Sequence, residues 1–324
     1  MKKSMIALAV AAATSAPVIT QAAAPEVSGF ADIIYSLVDD TADNGGVNTN
    51  ESKFSADGEI DFKGNLAEDV SVRVDLDIST GSDDSADIEQ AFFALKATDQ
   101  VSVMAGTFNN PIGWEAEDAP DMYQTSHSIA YDLLDSQTSQ RGNNVTGISV
   151  VGSVDMINIT AALLNDIQDT AEENSLAVAI GLTPAEGMEL ELGFLTQDND
   201  SGTCTFYNSP ADNDCGLGTI INANGSFTVE SGLTVAAEVM LASELIDYSM
   251  MAMVNMAIPE TPLSVTARGE LLAIDGGDDD TLALTFAGLY TYNDALGFVA
   301  EMKYIDGDFN DGDIQIALEA VASF

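Results

Sequence analysis

Positive charge is nearly missing from this chain: nine Lys and Arg stand against 53 Asp and Glu, a formal net charge of −44. So acidic a molecule repels nucleic-acid phosphate and anionic lipid headgroups alike, which excludes nucleic acid as a partner. Histidine and tryptophan occur once each and cysteine twice. Zinc-ligand spacings are therefore missing, and no phosphate loop or dinucleotide fingerprint appears. Past Ala24 no uninterrupted apolar run reaches the ~18 residues that a spanning helix requires, so entry into a membrane has to be as a barrel. Against disorder stand 46% hydrophobic residues and a slightly positive mean hydropathy, enough apolar surface for an ordered fold.

What is present begins with a leader. Met1-Lys2-Lys3, an apolar stretch from Met5 to Ile19 and small residues through Ala24 have the form of a secretory signal peptide over residues 1–23. Pro25 hinders a cut after Ala24, so cleavage is expected after Ala22 or Ala23. Removal of Lys2 and Lys3 leaves seven basic residues in a single mature domain, 24–324. Cys204 and Cys215 lie close together in a Gly/Asn/Asp-rich stretch, the setting of a local disulfide in a secreted chain; a reduced or metal-binding pair is the alternative.

From Val27 onward one pattern recurs: about ten residues alternating apolar with polar or small, then alternately a short turn and a longer acidic loop. Phe54, Ala56, Gly58, Ile60 and Phe62 alternate with Ser55, Asp57, Glu59, Asp61 and Lys63. Val72, Val74, Leu76 and Ile78 alternate with Arg73, Asp75, Asp77 and Ser79. A strand sorts these residues onto two faces, whereas a helix would mix them. Sixteen such segments are expected, near 27–38, 52–64, 70–80, 87–97, 101–108, 143–153, 156–165, 174–184, 188–198, 218–230, 232–243, 247–259, 263–274, 281–292, 296–305 and 313–324. Those at 87–97 and 263–274 alternate less well. The fold class implied is all-β, a transmembrane antiparallel up-and-down barrel with short turns at the periplasmic end and acidic loops outside. A two-sheet acidic soluble protein is the competing account.

The last segment places Ile314, Ile316, Leu318, Ala320, Ala322 and Phe324 on one face and ends on the aromatic residue. It resembles the C-terminal strand by which outer-membrane proteins are recognised for insertion. With this terminus, the leader and the long insertion after the fifth strand, the mature chain resembles Gram-negative porins. More narrowly, Ala105-Gly106-Thr107-Phe108-Asn109-Asn110-Pro111-Ile112-Gly113-Trp114-Glu115, followed by Thr125-Ser126-His127-Ser128, is similar to the segment after strand 5 in OmpL-like β-barrel porins. The resemblance implies a third external loop folded into the barrel, with Glu115, Glu117, Asp118 and Asp121 at a constriction. It also implies a homotrimer, insertion by the barrel-assembly machinery and a place in outer-membrane lipid.

Lys53, Lys63, Arg73, Arg268 and Lys303 fall at or beside polar, inward positions. They either oppose the loop acids across the pore or neutralise wall acids such as Asp61, Asp75, Glu270 and Glu301 by cross-strand pairing. An excess of carboxylate in the lumen favours cations. The expected function is a water-filled, cation-favouring diffusion channel for small hydrophilic solutes rather than an enzyme, with a closed structural or adhesive surface barrel as the alternative. No cofactor is expected. The stretch Asp306 to Asp313 departs from an EF-hand, since its Gly is displaced and Ala317 stands where the closing Glu belongs; weak calcium binding there and at 275–280 stays open. His127 beside Ser126 and Ser128 lacks the surroundings of a nucleophile. Met250, Met251, Met253 and Met256 are read as lipid-facing and wall packing rather than as soft-metal ligands, and Gly29, Gly58, Gly64 and Gly288 as sites of curvature and close strand contact.

Overall fold

The computed structural model describes residues 24–39, 51–80, 85–138, 142–167, 174–196, 216–275, 277, 280–307 and 310–324. Residues 1–23, the stretch expected to be a leader, together with Cys204, Cys215 and the acidic residues Asp278, Asp279 and Asp308, lie outside the described residues.

The period-two alternation is realised as sixteen strands: β1 (Glu26–Asp39), β2 (Glu51–Asn65), β3 (Val70–Thr80), β4 (Ser85–Lys96), β5 (Val101–Asn109), β6 (Asn144–Val154), β7 (Ile157–Asn165) and β8 (Asn174–Ala185), then β9 (Met188–Thr196), β10 (Thr219–Thr228), β11 (Leu233–Ala242), β12 (Ile246–Ala257), β13 (Leu263–Ile274), β14 (Thr281–Asn293), β15 (Leu296–Gly307) and β16 (Asn310–Ser323). Each pairs antiparallel with its neighbours in sequence, and β16 returns to β1, so the sheet closes into a barrel. Closure leaves no edge, which is the condition for a sheet to sit in hydrocarbon. The seam runs from Phe30 opposite Ser323 to Asp39 opposite Ile314. Backbone bonds from Phe324 N to Gly29 O (3.0 Å) and from Gly29 N to Phe324 O (3.3 Å) extend it by one residue.

The short turns carry the residues their geometry demands. Asp155 turns between β6 and β7 at φ 53°, and Gly187 between β8 and β9 at φ +74°, the positive-φ conformations of tight hairpins. A Cβ at Gly187 would collide with the carbonyl of Thr228, so only glycine fits.

Outside, the barrel is apolar: Phe54, Leu176, Leu192, Phe286 and Leu318 are all exposed. Inside, it has two characters. The inward faces of β2, β3, β13, β15 and β16 are polar, with Glu59, Asp75, Arg268, Glu270, Glu301 and Glu319 buried. On β7 to β11 an apolar or small set, Ala162, Leu164, Ala177, Ala179, Leu195, Ile220 and Met240, is buried beside the polar Asn222, Asn224 and Glu238. The seven apolar residues belong to one cluster that also takes in residues of the β5–β6 connection.

The weak alternation near 87–97 has a local cause. Asp75 pairs with Gln90 and Leu76 with Ile88, so Glu89 is an extra residue in β4, and both Glu89 and Gln90 turn inward and are buried. This is a β-bulge, which shifts the phase of the strand by one residue.

Candidate functional site

The connection from β5 to β6, residues 110–143, does not stay outside. Its two ends are clamped together: Asn110 N donates to Asn143 O (2.8 Å) and Asn110 Nδ2 to Asn143 Oδ1 (3.1 Å). Asn110 Oδ1 also accepts from Ile112 N (3.3 Å), an Asx turn that starts the chain across the lumen. Trp114 then reaches the far wall, where its backbone N–H donates to Glu238 on β11 (3.1 Å) and its ring packs with Ala236, Met251 and Met253. Tyr123 stacks on it, ring centroids 6.3 Å apart. A short 3-10 turn at Ala119–Asp121 lies against β16 and β1.

The return leg is helical. Helix α1 (Ile129–Gln137) is capped by Ser128, whose hydroxyl accepts from Tyr131 N. Two carboxylates complete the cap: Glu115 accepts from Ser128 N, and Glu270 on β13 from Ile129 N (2.6 Å). Negative charge at this end satisfies free N–H groups and complements the helix dipole. The helix buries Ile129, Ala130, Leu133 and Leu134 against Leu164, Leu195, Ile220, Met240 and Leu272, with Phe108 and Ile112 filling in from its entry side. This packing explains the apolar residues on the inner faces of β7 to β11.

Arg268 is the central tie. It is 2% exposed and spends its donors on Glu270 (2.8 Å), Glu115 (3.1 Å), Ser126 O (2.9 Å), Ser126 Oγ (3.1 Å) and His127 O (2.7 Å). Glu115 also accepts from Gln124 Nε2 (2.7 Å) and lies 3.6 Å from His127, which stacks on Tyr131. Burial opposes ionisation of Glu115, but the Arg268 guanidinium and then His127 outweigh it and hold its carboxyl at about 2. Nearby, Thr125 N and Ser126 N donate to Glu301 (2.8 and 3.0 Å), Thr125 Oγ1 to Glu319 (2.7 Å), and Lys303 Nζ to His127 O (3.4 Å).

A second stretch of wall, on β2 to β4, is anionic. On β2 and β3, Arg73 pairs with Asp61 (2.9 Å), with Glu59 (3.8 Å) and closely with Asp75, while Lys63 lies 3.9 Å from Asp61. Asp118 approaches Glu59, and Glu117 approaches Glu89. Burial, followed for Glu117 by the Glu89 carboxylate, pushes both loop acids above the usual carboxylate range. Gly142, at φ +72°, leaves room for the Glu117 carboxylate, which a Cβ there would strike.

Three of the four loop acids thus divide between two walls. Glu115 belongs to the Arg268 tie. Glu117 and Asp118 face β2 to β4. Asp121 closes the 3-10 turn, its N–H donating to Asp118 O (2.8 Å). Of the inward basic residues, Arg73 and Lys63 sit with wall acids and Arg268 and Lys303 with the connection, while Lys53 lies on β2 opposite Ser36. Four participants escaped the sequence analysis: helix α1, Glu89, Glu238 and Glu319. The signals for α1 were present as an N-cap Ser128 ahead of Ile129-Ala130 and Leu133-Leu134, apolar at helical spacing.

No curated protein matches the chain. Among solved structures, the anion-selective porin from Comamonas acidovorans superposes with a TM-score of 0.69 at 9% identity, over 94% of this chain and 100% of that one. A triple mutant of the Rh. blastica porin gives 0.64 at 14% identity, over 93% of this chain and 100% of its own. At such identities the likeness concerns the fold. The sequence model of the Gram-negative porins matches residues 7–311, so the chain belongs to the Gram-negative porin family, the channel-forming barrels of the outer membrane.

Proposed function

We propose that the channel is water-filled, passes small hydrophilic solutes by diffusion and favours cations. The observation that carries this is the state of its inward positive charges. Arg73 and Lys63 are held by wall carboxylates, and Arg268 is buried in its tie to Glu115 and Glu270. Lys303 is turned toward the His127 carbonyl. The acids outnumber them, with Asp32, Glu59, Asp75, Glu89, Glu238, Glu301 and Glu319 all on inward faces. A lumen with carboxylate in excess lowers the energy of cations and raises that of anions. The anion-selective neighbour at 9% identity has the same fold, so the preference rests on these side chains and not on the barrel.

In this reading the crossing segment sets the constriction. Glu117, Asp118 and Asp121 contribute carboxylate to it, and Glu115 shapes it by anchoring the backbone to Arg268. Three identical barrels assemble, after passage through the periplasm and insertion by the assembly machinery. A closed surface barrel is the alternative, since the segment fills part of the lumen.

Planar-bilayer recording under a salt gradient decides between them. Discrete steps with a cation-selective reversal potential are expected. Selectivity should weaken from 0.1 M to 1 M salt, as the Debye length falls from ~10 Å to ~3 Å. Anion selectivity would overturn the charge argument, and insertion without conductance would favour the closed barrel.

A further inference from the structure

The inward faces of β2 and β3 gather Glu59, Asp61 and Asp75 around the Arg73 guanidinium, Glu89 on β4 adds a further carboxylate nearby, and Glu117 and Asp118 approach them from the crossing segment. One carboxylate oxygen from each of Glu59, Asp61 and Asp75 lies within 4.8 Å of the other two, close enough to share a single ion. Arg73 answers only part of this charge. Glu59 and Asp75 are 3% and 0% exposed, yet Glu59 Oε1 and Asp75 Oδ1 accept no hydrogen bond. On the loop side, Glu117 Oε2 is likewise buried without a donor.

Carboxylate oxygens removed from water and left without donors are costly unless a cation meets them. Hard divalent ions bound by oxygen alone match such a set, and calcium tolerates irregular ligand geometry better than magnesium does. We propose that Glu59, Asp61 and Asp75, closed over by Asp118, form a divalent-cation site of the calcium class that fastens the crossing segment to the β2–β4 wall. The site is separate from the acidic external loops and does not depend on the channel's selectivity. It lies where two elements far apart in sequence meet, so an ion there would hold the constriction at a part of the wall separate from Arg268.

The test uses the full mature barrel in detergent, stripped with EDTA and titrated with calcium chloride at constant ionic strength. Calorimetry should show saturable binding with a dissociation constant on the order of 10⁻⁴ to 10⁻³ M, the range of extracellular calcium modules. The temperature at which heat changes the gel mobility of the folded barrel should rise with calcium. Glu59→Gln and Asp75→Asn should weaken binding about tenfold or more, equivalent to one decade of affinity per lost ligand. Folding of each variant is checked first by its mobility without calcium. Should the strand variants misfold, Asp118→Asn tests the site from the loop and leaves the wall intact. Asp99→Asn, in an exposed turn beside Lys96, should bind as the parent does. No saturable heat, or equal binding by Glu59→Gln and Asp118→Asn, would overturn the proposal and leave general screening as the only cation effect. A barrel that binds calcium but passes ions without cation preference would support the site and remove the selectivity reading alone.

Discussion

Arg268 shows how one buried charge can serve a channel without facing it. Its sequence position, one strand residue among alternating neighbours, marks it only as inward. The structure engages it with Glu115, Glu270, Ser126 and His127, so its removal strands two carboxylates in the interior. Arg268→Met should cost about 3 to 5 kcal/mol and release the crossing segment. The expected channel has larger, noisier conductance steps and an earlier thermal transition, and Glu115→Gln in the same background should recover part of the stability by removing an unpaired charge. Additive losses in the double-mutant cycle would show that the two residues do not act as a unit.

The acid range reports on the same residues. The Glu115 carboxyl is depressed from 4.5 to about 2, so its contribution is complete above 4.5 and lost as pH falls toward 2. The difference corresponds to ~3 kcal/mol. Glu117 and Asp118 are raised, so they act in the opposite sense: their protonated forms favour docking, and that contribution is lost as pH rises through their folded values. Thermal stability measured from pH 3 upward should therefore respond to Glu115→Gln and Glu117→Gln with opposite pH slopes. Parallel slopes would contradict the division of the loop acids between two walls.

At the scale of elements, the strands were legible because lipid enforces period two on every outward face. Leu176, Val178 and Ile180 need only alternate to be read. The inward faces are less constrained. They can be polar where they meet water or apolar where they meet protein, and nothing in Ala177 or Leu195 says which. Their environment is set by α1, whose own signal of Ser128 and Leu133-Leu134 lies inside a segment that otherwise reads as a polar loop. The bulge at Glu89 was legible only as an irregularity in alternation, because which residue is extra depends on the partner strand. The ion pairs were half legible: Arg73 beside Asp75 follows from the period of two within β3, and Arg73 beside Asp61 from β2 and β3 being neighbours, whereas Arg268 with Glu115 joins residues 153 positions apart. Leu133 is fully buried, so Leu133→Ala should cost about 2 to 5 kcal/mol and loosen α1 without opening the barrel. Protease cleavage within 129–137 while the heat-modifiable mobility persists would show this, and simultaneous loss of both would mean that the helix is needed for closure.

The whole molecule is held by a seam, since the barrel exists only once β16 has found β1. Phe324 takes part in two separable ways. Its backbone donates to and accepts from Gly29, while its side chain is 71% exposed and adds little packing. If the aromatic ring serves recognition during assembly and the backbone serves closure, Phe324→Ala should refold from denaturant in detergent with parental thermal stability, because the alanine keeps both hydrogen bonds. In cells the same variant should reach the outer membrane in markedly lower amount, measured as folded barrel in that fraction. Removing residue 324 altogether also removes the two bonds to Gly29 and should lower refolded stability by about 1 to 3 kcal/mol. Equal refolding defects in both variants would assign the ring to closure itself, whereas normal outer-membrane levels of Phe324→Ala would dissociate insertion from the terminal aromatic residue.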